Sequence, residues 1–479
     1  MSFSRVAIVS AALLLVGGAC GRSAFRNGAN EAGSGGAGGE SSEGGGGTSP
    51  ICSSAPWAHG YGDADDQEPR SLALSGSCDL VLAGVFRGSM TLGGATLQSA
   101  GATDMFVGKL GPDGSHKWSK RFGNLGAAES LGAWASADQD GNVLVGLTSE
   151  GAVDLGGGAL PSHGGTDIAV GKLSPDGSHR WSHSYGDFDM QYLTHVAADP
   201  AGNVILGGYF TGTLDFGHAM VSSTGHYDVF LAKLDRDGQS IWAWHLGDGA
   251  AATIAAVAVD ETGNVLAAGS YQGSADFGSG AEPATGVDPF VVELSPSGQL
   301  RAGRAFHGSD SAPPAGIGFG DSGQVWLAGS FAGSLDVGGN LLVSTGGSDL
   351  YLTRLDASLA PVWSQSLGLA GDERATGLAI DPSGNVWLTG GFTGTTDFGG
   401  GDLTSAGGTD GFVLELDRSG AYVNALRFGD ASEQRGVGIV FDHAGRAVIT
   451  AGFQGMVDLG YSSVTSQGGF DVLLAKLAP

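Results

Sequence analysis

Hydrophobic positions from about residue 55 onward fall into short runs with no 3.6-residue period. Ile254 to Val259 is apolar and ends at Asp260. The turn Glu261-Thr262-Gly263 leads into a second apolar segment, Asn264 to Gly269. A long loop passes through Asp276-Phe277-Gly278. Asp288 then opens a third run to Leu294, and after Pro296-Ser297-Gly298 a fourth segment ends at Gly308. The first two segments are nearly continuous small apolar residues, which predicts strands covered on both faces. Turn residues separate all four.

The same unit recurs seven times. An Asp opens the third apolar run at Asp104, Asp167, Asp228, Asp288, Asp349, Asp410 and Asp471. The spacing stays close to 61 residues. A Gly ends the fourth segment at Gly62, Gly123, Gly186, Gly247, Gly308, Gly368 and Gly429. Repeats of this length containing four short strands predict an all-β fold, a seven-bladed β-propeller with four strands per blade. A solenoid is the alternative. Closure decides between them. The chain ends just after the third segment of its last repeat, and Trp57 to Gly62 is a fourth segment with no repeat before it. The N-terminal strand is therefore expected to complete the last blade, so that no end needs a cap.

Gly368-Leu369-Ala370-Gly371-Asp372-Glu373, the stretch from Gly377 to Gly390, and Asp410-Gly411-Phe412-Val413-Leu414-Glu415-Leu416 resemble the bacterial seven-bladed propeller (SBBP-type) repeat. The resemblance covers residues 57–479. It implies a propeller that is secreted or surface-anchored, and it implies no activity. The loop through Asp276-Phe277-Gly278 makes the unit longer than is usual in that family.

The N-terminus reads as an address. Arg5 precedes an apolar run from Val6 to Val16, too short for a membrane span and suited to a signal peptide over residues 1–19. The run ends Val16-Gly17-Gly18-Ala19-Cys20, which resembles the lipobox of bacterial lipoproteins except for Gly17. The resemblance implies lipidation at Cys20 and membrane attachment through that lipid. The alternative is ordinary signal-peptidase cleavage and a periplasmic or secreted soluble protein. Gly21 departs from the Asp that retains such lipoproteins in the inner membrane, so the outer membrane or cell surface is expected. Residues 20–54 hold eleven glycines and read as a flexible tether before a propeller at 55–479, which is expected to be a monomeric domain.

Composition narrows the chemistry. Gly makes up 89 of 479 residues, and the formal net charge is −27. Three acids and three bases cancel before residue 55, so the whole charge belongs to the propeller. An acidic domain is not expected to bind nucleic acid. No GxSxG, HExxH or EF-hand spacing occurs, so no catalytic residue, metal ligand or cofactor is assigned. The seven recurring Asp residues suit backbone hydrogen bonding. The hairpin Asp113-Gly114-Ser115-His116-Lys117-Trp118 resembles the docking hairpin of quinoprotein-type propellers. That resemblance implies that Trp57, Trp118, Trp181, Trp242 and Trp363 pack between blades. Cys78 occupies a turn position that is Gly in the other six copies, and an exported protein permits a Cys52–Cys78 disulfide; two unpaired thiols are the alternative.

One surface is suggestive. The loops joining each outer strand to the next inner strand carry Asp63, Asp65, Asp66, Glu68, Asp187, Asp189, Asp372, Glu373, Asp430 and Glu433. Arg70, Arg374 and Arg435 oppose them. This rim is the candidate site for a cationic ligand, a glycan or a protein partner. The expected function is an envelope-anchored binding or scaffold module. A propeller lyase or hydrolase working at the channel mouth is the alternative.

Overall fold

The computed structural model describes residues 55–123, 130–247 and 251–478, without the side chains of 130, 131 and 310–312. Seven antiparallel four-stranded sheets form a ring. Blade 1 runs Gln67–Leu74, Leu80–Phe86, Asp104–Leu110 and His116–Phe122 from axis to rim. Blades 2 to 6 repeat this order, beginning at Ser130, Gln191, Ala252, His307 and Glu373. Each innermost strand touches the innermost strands of both neighbours, and those of blades 7 and 1 meet to close the circle. Blade 7 consists of Gln434–Phe441, Ala447–Phe453, Asp471–Lys476 and, outermost, the N-terminal strand Trp57–Tyr61. The seven-bladed β-propeller and its closure are as the repeat pattern predicts.

The apolar runs form strands because both faces are covered. The second and third strands of blade 1 are buried throughout, whereas the outermost is half-buried. Neighbouring blades share their cores: Phe210 and Phe230 of blade 3 pack with Ile168 and Val170 of blade 2.

Each repeat marker has a physical role. The recurring Asp is buried, and its Oδ2 accepts a backbone N–H three or four residues upstream, as in Ala100 to Asp104 (2.6 Å) and Ala406 to Asp410 (3.0 Å). Its other oxygen lies against the Gly that ends the fourth segment. A Cβ on Gly186 would sit 1.9 Å from Asp167 Oδ1, and one on Gly123 would sit 2.0 Å from Asp104 Oδ1. The two markers are thus halves of one contact.

The tryptophans dock blade to blade. Trp118 Nε1 donates to Pro175 O of blade 2 (2.9 Å), Trp181 to Arg236 O of blade 3 (2.9 Å) and Trp242 to Pro296 O of blade 4 (3.0 Å). The hairpin glycine of the next blade lies under each ring, such as Gly177 under Trp118. Blade 4 has Gly303 in place of Trp, and there the next hairpin carries buried Leu359 instead of Gly. Leu359 accepts a φ of 61° to fill a core against which Ala302 packs.

At the same end, buried lysines join blades. Lys172 Nζ pairs with Asp138 (2.9 Å) and donates to Gly202 O of blade 3 (3.0 Å). Lys233 pairs with Asp199 (2.8 Å), and Lys109 donates to Gly141 O of blade 2 (2.9 Å).

The structure differs from the sequence reading in the long loop. Ser274–Asp276 and Ala281–Pro283 form a two-stranded ribbon; five other blades carry one too, and blade 5 extends its second and third strands into it. Asp276 Oδ1 accepts the N–H groups of Gly278 (2.8 Å) and Gly280 (3.0 Å), which turns the ribbon. Phe277 is buried against Tyr271 and Phe290, so the ribbon caps the blade.

Candidate functional site

The rim loops lie at the end of the ring where innermost strands begin, beside the loops between second and third strands. Three of them share one construction. Asp63 Oδ1 accepts Asp65 N–H (2.9 Å) and Gln67 Nε2–H (2.8 Å), while Oδ2 accepts Ser89 N–H (3.0 Å) from the neighbouring loop. Asp187 binds Asp189 N–H, Gln191 Nε2–H and Thr213 N–H in the same way. Asp430 does so with Ser432, Gln434 and Met456. Burial pushes the Asp63 and Asp430 carboxyls up, but the bonds they accept outweigh it, and both fall below the usual carboxylate range.

The remaining rim acids divide by surroundings. Asp66 Oδ1 accepts Phe470 N–H (3.0 Å) and Asp372 Oδ1 accepts Ser348 N–H (3.0 Å), tying each loop to the preceding blade. Glu68 Oε2 lies 3.0 Å from Arg70 Nη2. Asp65, Asp189 and Glu433 are exposed.

Glu373 stands alone. It occupies the place of Gln67, Gln191 and Gln434, and Leu369 occupies the place of the Asp those glutamines bind. Its side chain is fully buried, and neither oxygen has a hydrogen-bond partner among the described residues. Burial pushes its pKa up to about 7; the nearby Thr396 hydroxyl and Leu369 backbone offset part of this, and the carboxyls of Asp349 and Asp372 add to it.

The sevenfold regularity breaks in two places at this end. In blade 3, Tyr192 and Tyr209 oppose each other across the two inner strands and stack (centroids 4.8 Å apart, 24° between planes). Tyr227 stands at 88° to Tyr209, 5.4 Å away. The Tyr192 and Tyr227 hydroxyls point at Met190 Sδ (3.6 and 3.4 Å). Met190 is 45% exposed and the nearby Phe188 is 90% exposed. In blades 6 and 7 the positions of Tyr192 and Tyr209 hold Arg374 with Gly391 and Arg435 with Gly452. Sequence reasoning passed over the tyrosines because each is an ordinary strand residue. Laying the seven repeats over one another would have found them: the position of Tyr209 is Val85, Thr148, Ser270, Ser330, Gly391 and Gly452 elsewhere.

Among the described residues no group of three or more His, Cys, Asp or Glu side chains could hold a metal ion. The scattered His residues serve the blades: His307 Nδ1 lies 2.8 Å from Asp288, and His59 and His183 each lie between a Trp and a Tyr ring. Cys20 and Cys52 lie outside the described residues. Cys78 is buried with a φ of 63°, the left-handed backbone that the six matching glycines adopt, and its Sγ is 2.9 Å from His443 Nδ1 of blade 7.

No protein-family model and no curated protein matches the chain. Among solved structures it is similar to a gluconolactonase from Xanthomonas campestris (14% identity, 69% of this chain and 82% of that one, TM-score 0.33). It is also similar to a luciferin-regenerating enzyme (13% identity, 72% and 90%, TM-score 0.34). A third is the β-propeller domain of the Trilobed protease from Pyrococcus furiosus (6% identity, 86% and 94%, TM-score 0.43). At these scores the likenesses carry no argument about activity, and the propeller assignment stands on the chain's own sheet topology.

Proposed function

We propose that the chain is an exported, lipid-anchored propeller of the SBBP type that presents its channel mouth as a binding face on the bacterial envelope. The observation that carries this is the localisation of asymmetry. Polar groups that recur from blade to blade are consumed in internal bonds, while the unrepeated aromatic and arginine side chains, with Glu373, gather at one end of the ring. A quasi-symmetric scaffold with an asymmetric mouth is the arrangement of a binding module. Tyr192, Tyr209 and Tyr227 offer ring faces and hydroxyls to a glycan or a protein segment. The exposed rim acids Asp65, Asp189 and Glu433 favour a partner with basic groups.

A glycan and protein-partner screen with the full chain tests this reading. Bound partners should be lost when Tyr192 and Tyr227 are both changed to Ala. Unchanged binding in that variant overturns the assignment of the face. The second reading is a lyase or hydrolase at the same mouth, for which Glu373, with its raised pKa, is the candidate acid only if the loop over its buried carboxyl opens to substrate. Turnover of a captured glycan, abolished by Glu373→Gln, would replace the binding reading by the enzymatic one.

Two further proposals concern the N-terminus. Cys20 carries the lipid, so labelling with a lipid precursor should vanish in Cys20→Ala. Cys52 and Cys78 form a disulfide tying the N-terminal strand to blade 1, supported by a non-Gly residue held at positive φ where the other copies use Gly. Alkylation under non-reducing conditions should label neither thiol, and two labels would refute the bridge.

A further inference from the structure

We propose that blades 6, 7 and 1 build an oxyanion-binding site at the channel mouth, in which the guanidinium groups of Arg70, Arg435 and Arg374 receive a carboxylate- or phosphate-bearing ligand. The inference rests on the mouth being the binding face and names a ligand chemistry for one sector of it, the arginine row of blades 6, 7 and 1, apart from the exposed acids that favour basic groups.

The three arginines come from consecutive innermost strands, next to the axis. Arg70 is the unpaired residue of the bulge between Pro69 and Ser71 in blade 1. Arg435 and Arg374 are the second residues of the innermost strands of blades 7 and 6. Their cross-strand partners are glycines, so nothing on the second strand covers them. A Cβ on Gly391, the partner of Arg374, would lie 3.5 Å from Arg435 Cβ, which places the two arginine stems side by side. Arg435 is held over the Phe470 ring, 5.3 Å from its centroid.

Charge is left over in this row. Glu68 is the one acid paired to it: its Oε2 lies 3.0 Å from Arg70 Nη2 and 3.9 Å from Arg435 Nη2. The side chain of Arg374 has no hydrogen bond or ion pair among the described residues, and the residue is exposed. One carboxylate thus serves two guanidinium groups beside a third that has none. The side chains of Arg70 and Arg435 are 25% and 34% exposed, so a ligand can reach them. Burial, followed in effect by the neighbouring Arg435, lowers the pKa of Arg70, although Glu68 opposes this. A chain of net charge −27 gains no solubility from such a cluster. Its chemistry fits an incoming anion, because the guanidinium fork matches two oxygens of a carboxylate or phosphate.

The substitutions Arg374→Gln and Glu68→Gln pull in opposite directions, which separates ligand binding from a structural role. The assay is calorimetric titration of the full chain in detergent with two probes, inorganic phosphate and glucuronate. The wild-type protein should bind at least one of them saturably. Arg374→Gln and Arg435→Gln should each weaken binding by about tenfold, the loss of one charge-assisted contact. Glu68→Gln should strengthen it several-fold, because it frees two guanidinium groups. Binding of phosphate alone assigns a phosphate ligand, and binding of glucuronate alone a carboxylate one. Arg374 is exposed and makes no internal bond, so Arg374→Gln is expected to fold, with a melting curve matching the wild type. The proposal is overturned if neither probe binds to the wild type or to Glu68→Gln, or if Arg374→Gln and Arg435→Gln bind as the wild type does. In that event, partner capture that still depends on Tyr192 and Tyr227 would leave the binding-face reading standing.

Discussion

Glu373→Gln should stabilise the protein by an amount that grows as the pH rises from about 4.5 and is complete above about 7. Gln occupies this position in blades 1, 3 and 7, so its size fits; Leu369 replaces the Asp that holds those glutamines, so the gain comes from removing the ionisation alone. Glu373 in the folded chain releases its proton near pH 7, against 4.5 for an ordinary Glu. The folded state therefore holds the proton more tightly than the unfolded state. Below about pH 4 both states are protonated and the buried acid has no ionisation cost. As the pH rises through the interval from 4.5 to 7, the unfolded chain ionises first and stability falls. Above pH 7 the full difference has been lost, about 3 kcal/mol at one pKa unit per 1.4 kcal/mol. The Gln variant escapes this loss. Asp349, whose own carboxyl burial pushes up, also loses a charged neighbour. Melting curves of wild type and variant from pH 4 to 9 provide the assay. For a ring of this size, about 3 kcal/mol corresponds to roughly 3 °C. The curves should coincide at pH 4 and separate progressively to pH 8. A variant that melts lower at pH 8, or a difference independent of pH, would refute the reasoning.

Other perturbations test the scaffold. Lys172→Met should cost about 3–5 kcal/mol by leaving Asp138 charged and buried, and adding Asp138→Asn should recover much of it, as denaturant midpoints would record. Gly186→Ala should destabilise by at least about 2 kcal/mol although its φ is unremarkable, because the new Cβ meets the Asp167 carboxylate at 1.9 Å; unchanged melting would refute the paired-marker account. In reduced protein Cys78→Gly relieves the positive φ but gives up the buried Sγ and its contact with His443, so stability should change by less than about 1 kcal/mol, while in oxidised protein it should fall through loss of the proposed bridge.

Much of the architecture was legible in the sequence because repetition multiplies weak signals. A single apolar run bounded by Gly and Asp is ambiguous, but seven in register fix strand number, blade number and the closing strand. The recurring Asp and Gly were visible as markers, whereas their contact was not, since Asp167 and Gly186 meet only once the third and fourth strands pair. The ribbon at Ser274–Asp276 was hidden because two strands of three residues give no periodicity.

The candidate site divides the same way. Sequence located the rim loops and noticed that three arginines oppose the acids. It could not distinguish Asp63, bound on both oxygens within its own loop and the next, from exposed Asp65, two residues away. Nor could it see that Glu373 is buried without a partner, or that Arg70, Glu68 and Arg435 meet across the join between blades 7 and 1. The sequence by itself determined the seven-bladed, velcro-closed ring, because that follows from local patterning repeated along the chain. Only the tertiary structure decided which charges are spent holding loops and which remain at the mouth, because a carboxylate's role depends on the N–H or guanidinium groups brought to it by distant strands.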